Sequence, residues 1–470
     1  MSQQAKFLSG DLMRHVVTMS AAGSVGLMAF FLVDLADLYF ISLLGEAELA
    51  AAVGYASAIL FFTTAISIGL AISMGALVAR SLGAGDRERA REYGTTVLAF
   101  ALALAIPVTA LVWVFLPELV ALVGAKGRTA ALAVDYLSIV IPSLPAMFCL
   151  MAGGAILRAH GDARRAMVAT IVTAAVNAAL DPVLIFGFGP IPALGLDGAA
   201  LASVCGRIAG ALASFLPIIR RYGGFAPLRL ETLRADLPAI SRLAFPAMLT
   251  NVATPIGAAY VTRAMSEFGD SAVAGMAIVG RLSPVAFGLV FALSGAIGPI
   301  VGQNVGARDF DRVRGALTCA VKFLGAYVLA ASAILFLGRN LIADAFGAQD
   351  EARELVLLFC GPLALAFFFN GVLFIANASF NNLERPLIST WMNWGRHTVG
   401  TIPPAMAGGA LLGAPGVLIG QALGGLVFAG IAIWRAYRLV DQQEAQGGVP
   451  RRTPKLGLRL PQWPFSSPRG

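Results

Sequence analysis

Residues 81–94 read SLGAGDRERAREYG and residues 304–316 read NVGARDFDRVRGA. Each follows a long apolar run and turns through glycine and aspartate into a basic stretch, and Gly83 pairs with Gly306 at an offset of 223. Upstream, residues 45–54 (GEAELAAAVG) pair with 269–277 (GDSAVAGMA), Gly45 matching Gly269 at an offset of 224. Downstream, Pro142 finds Pro362, and residues 195–203 (GLDGAALAS) find 413–421 (GAPGVLIGQ) at an offset of 218. Glycine-rich sequence supplies one such pair by chance, but hardly several in order near one offset. The chain is a duplication.

What is duplicated is a set of membrane helices. Of 470 residues, 58% are apolar and 13% charged, where a soluble domain carries about 25% charged residues. The mean hydropathy is +0.79, and 52 glycines suit helices whose backbones approach closely in lipid. These figures argue against a soluble enzyme, a disordered chain and a nucleic-acid-binding domain. A hydrocarbon core about 30 Å thick needs about 20 apolar residues per helix. That ruler gives spans at 14–42, 48–80, 94–116, 129–157, 165–189 and 196–220, then at 238–265, 271–304, 315–343, 353–380, 387–411 and 415–438. The expected plan is an all-α polytopic protein with a six-helix bundle at 12–222, a polar linker at 223–236 and a second bundle at 237–440. Residues 441–470, rich in proline and basic residues, read as a disordered tail. Six is even, so both halves keep one orientation, a parallel repeat about an axis along the membrane normal. Such a plan suits a transporter that opens a central cleft alternately to each side.

Charge placement predicts orientation. The termini and the loops after the even-numbered spans collect 25 Lys and Arg residues, and the opposite loops hold Lys126, Arg128, Arg339 and Arg353. By the positive-inside rule both termini are cytoplasmic and the chain is a multi-pass protein of the inner (plasma) membrane. The net charge of +8 is thus a topology signal and asks for no nucleic acid. Cys149, Cys205, Cys319 and Cys360 lie in apolar stretches without CxxC spacing, so neither a metal site nor a disulfide framework is expected. Asp34 and Asp37 interrupt the first apolar stretch, which reads as a retained helix rather than a signal peptide. His15, His160 and His397 stand near span ends without a nucleophile partner, so no enzyme and no cofactor are expected.

Ionisable residues inside spans are costly and default to functional candidates. Asp34 and Asp37, three apart, share roughly one face of the first span, and Asn177 and Asp181, four apart, share a face of the fifth. If these faces meet, they form a pocket of carboxylates and an amide. Two close carboxylates cannot both ionise cheaply, so such a pocket takes up a proton or exchanges it for a cation. The bland alternative pairs the acids with Arg207 for structure alone. Pro182 lacks an N–H and crowds the carbonyl of Ala178, which predicts a kink beside Asp181 that could couple protonation to bending or merely suit packing. Arg207, Arg263, Arg281, Lys322 and Arg396 also lie within spans, where snorkelling or packing roles outweigh substrate contact. Met28, Phe61, Phe287, Phe291 and Phe367 form a set that could line an apolar cavity.

The stretch LVDLADLYFISLLGEAELAAAVG (32–54) resembles the opening of the MATE (multidrug and toxic compound extrusion) family. So do the two loops quoted first, LRAHGD (157–162), NAALDPVLIFGFGPIPALGLDGAALAS (177–203) and NWGRHTVGTIPPA (393–405). The resemblance covers nearly all of residues 12–440. It implies cation-coupled efflux of organic compounds by two six-helix bundles arranged as a V around a central cavity. It also implies a coupling cluster. Asp37 matches a family Asp eight residues before the LG glycine, Asp34 stands where many members carry Asn, and Asn177 and Asp181 match N-x-x-x-D. Ser203 keeps the hydroxyl of a family Thr, and Tyr136 matches a Tyr of the same cluster. The cluster's span-four Asn is missing, with Gly154 its nearest equivalent. Arg281 and Arg396 match recurring family arginines.

The resulting expectation is a monomeric antiporter, driven by H+ or Na+, that exports amphipathic and often cationic small molecules from the lipid bilayer. Protons are favoured because close carboxylates explain proton exchange without a metal, and no acid lies deep in the second half or in the span-seven position that accompanies sodium coupling in some members. Sodium would find oxygen ligands at Asp37, Asn177, Asp181 and Ser203. The alternative is a flippase or exporter of a lipid-linked or other anionic precursor, which would line its cleft with basic residues for phosphate.

Overall fold

A computed structural model describes residues 5–447. Helix dominates, and among the described residues the only β pairing is an isolated bridge between Phe188 and Ile191. Spans one to three are Leu12–Ser42, Ala47–Gly83 and Arg87–Val114, the last followed by a short helix at Leu116–Leu122. Span four is Gly127–Ala159, and spans five and six are Ala163–Phe186 and Leu196–Arg221. Spans seven to nine are Leu230–Ser266, Asp270–Gly306 and Phe310–Ala345, and span ten is Asp350–Asn382.

The last two spans need a fold-back. Helix Ile402–Gly447 has 46 residues, about 69 Å at the α-helical rise and more than twice a hydrocarbon core. Gly413 breaks it with φ 67° and ψ −152°, a backbone state that suits a residue without Cβ. Beyond the break the chain returns along itself. A Cβ on Gly416 would strike the Gly408 carbonyl at 1.9 Å, one on Gly420 the Pro404 carbonyl at 2.1 Å, and one on Gly424 the Gly400 carbonyl at 1.4 Å. That register is antiparallel, so 386–412 is span eleven and 414–447 is span twelve. Ten stretches are long and apolar enough to cross a membrane; the tenth, Pro386–Gln446, carries two crossings, and Leu230–Ser266 completes twelve.

Local chemistry starts these helices. Asp11, Asp86, Asp162 and Asp309 each cap a helix by accepting the backbone N–H of the arginine three residues on: Arg14, Arg89, Arg165 and Arg312. In front of each stands a left-handed residue, Gly10, Gly85, Gly161 or Arg308. Spans one, three, five and nine therefore begin with one device, and the quoted loops are two instances of it.

Breaks repeat as well. A 3-10 turn at Ile141–Ser143 interrupts span four around Pro142, and a widened turn at Phe359–Leu363 interrupts span ten around Pro362. Each six-span half packs into a lobe. Across the lobes span one meets span eight, span two meets span seven, and spans two and eight meet each other. Exchanging halves turns the first contact into the second and the third into itself, as a two-fold axis along the helices requires.

The lobes are closed at the end that carries the termini. There a Cβ on Gly83 would lie 1.9 Å from the Gln303 carbonyl and one on Gly306 2.0 Å from that of Arg80. Farther along, Gly23 packs on Ala292 and Gly288 on Met28. Beyond that level Leu32, Asp34 and Leu35 of span one and Gly280, Arg281 and Val285 of span eight are exposed. The two bundles form a V around a central cavity.

Two sequence expectations change. Helix begins at Leu230, inside the segment 223–236 read as linker, because Asp236 is buried against Arg89 and Thr96 of span three. Helix also continues through 441–447, where Arg314 pairs with Asp441 and Glu444, so this part of the expected disordered tail is ordered; the remainder lies outside the described residues. Span five runs as one continuous helix through Pro182 to Phe186, with no residue leaving helical dihedrals. The marked breaks fall instead at Phe287, Gly361 and Gly413 of the second lobe.

Candidate functional site

The acids of the first lobe meet because glycine sets the register of its helices. Spans one and five run side by side in the same direction, and Gly26 packs on Thr170 with its Cβ position 3.4 Å from that side chain. Eleven residues on, about three turns, Asp37 stands beside Asp181, since 37 − 26 and 181 − 170 are both 11. Span six closes on span five through Gly206 and Gly210, whose Cβ positions would fall 2.8 Å from the Thr173 carbonyl and 1.8 Å from its hydroxyl. Small residues at this spacing allow backbone contact between membrane helices. Ser203 is thereby brought to Asn177, which donates from Nδ2 to the Ser203 Oγ at 3.1 Å.

The result is one polar pocket. The Asp37 side chain lies against Asp181 and Asn177, and the Tyr136 hydroxyl lies beside Ser203. Asp181 is fully buried, Asn177 nearly so, and Asp37 half-buried. Both Asp181 oxygens, Asp37 Oδ1 and Asn177 Oδ1 are buried without a hydrogen-bond partner. Four buried acceptor oxygens thus converge without a hydrogen-bond partner. Buried polar atoms are nearly always satisfied, so this cluster calls for a proton between the carboxylates or a small hard cation among the oxygens. Among the described residues no group of three or more His, Cys, Asp or Glu side chains could hold a metal ion.

Asp34 stands one turn away and is exposed, with Arg207 as its cationic neighbour. Arg207 forms no ion pair with any of the three acids; it donates to Ser143 Oγ at 2.9 Å and to the Val140 carbonyl at 3.5 Å. The basic candidates of the second half lie elsewhere. Arg281 is exposed, and Arg396 is half-buried between spans eleven and twelve, 3.7 Å from the Cβ position of Gly425. Sequence reasoning missed the glycines that position the pocket, although Gly206-x-x-x-Gly210 was visible as a small-residue repeat.

Two like lobes of six spans, parallel in orientation and joined at one end over a cleft, make the architecture of a membrane transporter. The model of the MatE family matches residues 24–183 and again 246–405, one copy per lobe, and the chain belongs to that family. It is 28% identical over 447 residues to an FAD transporter of Shewanella oneidensis, covering 95% of this chain and 99% of that protein. It is 21% identical to the multidrug export protein MepA of Staphylococcus aureus, covering 78% of this chain and 81% of that one. A structure described as an outward-facing conformation of a multidrug resistance MATE family transporter superposes with a TM-score of 0.85, at 23% identity over 95% of this chain and 99% of its own.

Proposed function

We propose that the protein is a cation-coupled antiporter, driven by protons, that exports amphipathic organic compounds by alternating access. The carrying observation is the cluster of unpartnered buried oxygens of Asp37, Asp181 and Asn177 in the first lobe. A proton shared by Asp37 and Asp181 supplies the missing donor and removes the repulsion of two buried carboxylates. Losing it restores that repulsion, so occupancy of the pocket biases spans one and five between two packings. Sodium could replace the proton, with Ser203 and Asn177 adding oxygen ligands. With both termini cytoplasmic, as the basic loops ask, the closed end faces the cytoplasm and the cleft faces outward. The relation to MepA supports a broad organic substrate range.

The test is efflux from proteoliposomes under a pH gradient or a sodium gradient imposed separately. Transport driven by the pH gradient supports proton coupling, and sodium-driven transport indifferent to pH overturns it. A second reading, export of an anionic organic compound, is favoured by the end-to-end relation to the FAD transporter. Flavin adenine dinucleotide belongs beside cationic dyes in the same assay.

A further inference from the structure

Among the described residues no acidic side chain pairs with Arg158. It lies in the last turn of span four, where a snorkelling arginine would reach out to the membrane surface. Its guanidinium instead folds back along its own helix, with Nη1 3.1 Å from where a Cβ on Gly154 would lie. Gly154 is buried, and any side chain there would contest that space. Across the lobe boundary, Arg158 Nε is 3.9 Å from the Cβ position of Gly295 on span eight, and Gly295 is exposed. Among the described residues, Arg158 takes part in no hydrogen bond or ion pair through its side chain. A guanidinium cannot shed its proton to escape the cost of burial.

The surface it faces is aromatic. Gly288, Phe291, Ala292 and Gly295 follow helical spacing on one face of span eight. Met28 sits 3.3 Å from the Cβ position of Gly288, and Ala292 lies as close to that of Gly23, so this face is the lobe boundary. Phe291 is half-buried on it, one turn from Gly295. Behind Phe291 stand Phe367 at 5.9 Å and Phe374 at 5.7 Å between ring centres, and Phe367 stacks on Phe287 at 4.1 Å. That stack falls where Phe287 leaves helical dihedrals.

We propose that Arg158 and Phe291 form a substrate subsite at the lobe boundary for organic anions that carry an aromatic ring. The planar guanidinium offers paired N–H donors to a carboxylate or phosphate, and Phe291 offers a ring for offset or edge contact. The proposal rests on the transport reading and names its substrate class. It divides the work of the two lobes: carboxylates of the first hold the coupling ion, and a boundary cation with second-lobe rings holds the cargo.

The test uses the full-length protein and fluorescent probes of one ring system: pyrenebutyrate, pyrenemethanol and pyrenemethylammonium. Binding in detergent and efflux from proteoliposomes are read separately. Wild type is expected to prefer the anion. Arg158→Gln is expected to weaken anion binding by about tenfold to a hundredfold, the worth of a hydrogen bond to a charged group, while pyrenemethanol binding is kept. Arg158→Lys should restore part of the loss, and Phe291→Ala should weaken all three probes alike. If Arg158→Gln does not fold, Gly295→Leu fills the space beside the guanidinium and carries the same expectation. An unchanged charge preference in these variants, or none in wild type, overturns the subsite. Charge-selective binding that depends on Arg158, with no efflux under either ion gradient, keeps the subsite and overturns coupled antiport. Driven efflux with a preference indifferent to Arg158 does the reverse.

Discussion

Asp181 carries two buried oxygens without a donor, and its neighbour Asp37 carries a third. Asparagine at either position keeps the size but removes the titratable proton. Asp37→Asn and Asp181→Asn should each lower gradient-driven efflux by at least about tenfold, the consequence of losing one transition worth about 1.4 kcal/mol or more, with insertion intact. Asp34→Asn should cost less, since Asp34 is exposed and outside the cluster of unpartnered oxygens; equal losses at all three in proteoliposomes would sink the assignment. Asp162 gives a second prediction outside the membrane. It caps span five through the Arg165 N–H and accepts the Tyr222 hydroxyl at 2.7 Å. Burial pushes its carboxyl up, but the Tyr222 hydroxyl and the Arg165 guanidinium outweigh this and hold it below the usual carboxylate range. A folded value below the unfolded one adds stability that is full above the unfolded value, about 4, and is lost as pH falls through the folded value. Asp162→Ala should cost about 1 kcal/mol at neutral pH, the worth of a helix cap. Melting curves of variant and wild type should converge in acid. These acids were legible in the sequence because charge inside an apolar run stands out, but the pairing of Asp37 with Asp181 was only conditional.

Among elements, glycine decides which helices touch. Spans eleven and twelve meet at Gly400 and Gly424, Pro404 and Gly420, and Gly408 and Gly416. Gly424→Val should destabilise the second lobe by about 3 kcal/mol or more, the upper range for overpacking, because its Cβ would sit 1.4 Å from a backbone carbonyl. The check is thermal unfolding in detergent, and an unchanged midpoint would refute the hairpin packing. Element count and breaks were partly readable: Pro142 and Pro362 both lie at interruptions. Pro182 lies within a continuous helix, since a proline ring removes one hydrogen bond without by itself taking the backbone out of helical dihedrals. The start of span seven was not readable, because the pairing of Asp236 with Arg89 depends on a contact across 147 residues.

At the scale of the whole molecule the closed end is held by a strap from the N-terminus. Phe7 is fully buried; its N–H donates to Gln303 Oε1 at 2.8 Å, and its carbonyl accepts from Arg312 at 2.9 Å. Lys6 donates to the Gly161 carbonyl at 2.7 Å, and Gln303 donates to that of Ala159 at 2.7 Å, so both lobes are tied. Phe7→Ala removes a core ring worth about 3 kcal/mol, enough to shift a two-state equilibrium more than about a hundredfold toward opening. A cysteine at Ala79, sealed against Gly302 in the closed state, should then react faster with a thiol reagent applied from the side of the termini. Unchanged labelling would mean that the strap is incidental.

By itself the sequence determined the twelve apolar spans, the duplication and the basic asymmetry between loops, because length, hydropathy and charge count act locally against a bilayer of given thickness. It also displayed Asp34, Asp37, Asn177 and Asp181 as polar residues in apolar runs. Only the tertiary structure decided that Asp37 reaches Asp181 while Asp34 stays exposed, that Arg158 turns inward to the lobe boundary, and that the terminal end is shut. Those outcomes rest on register between helices distant in sequence, set by backbone contact at glycines such as Gly26, Gly206 and Gly83. No local rule fixes which carbonyl a glycine will face.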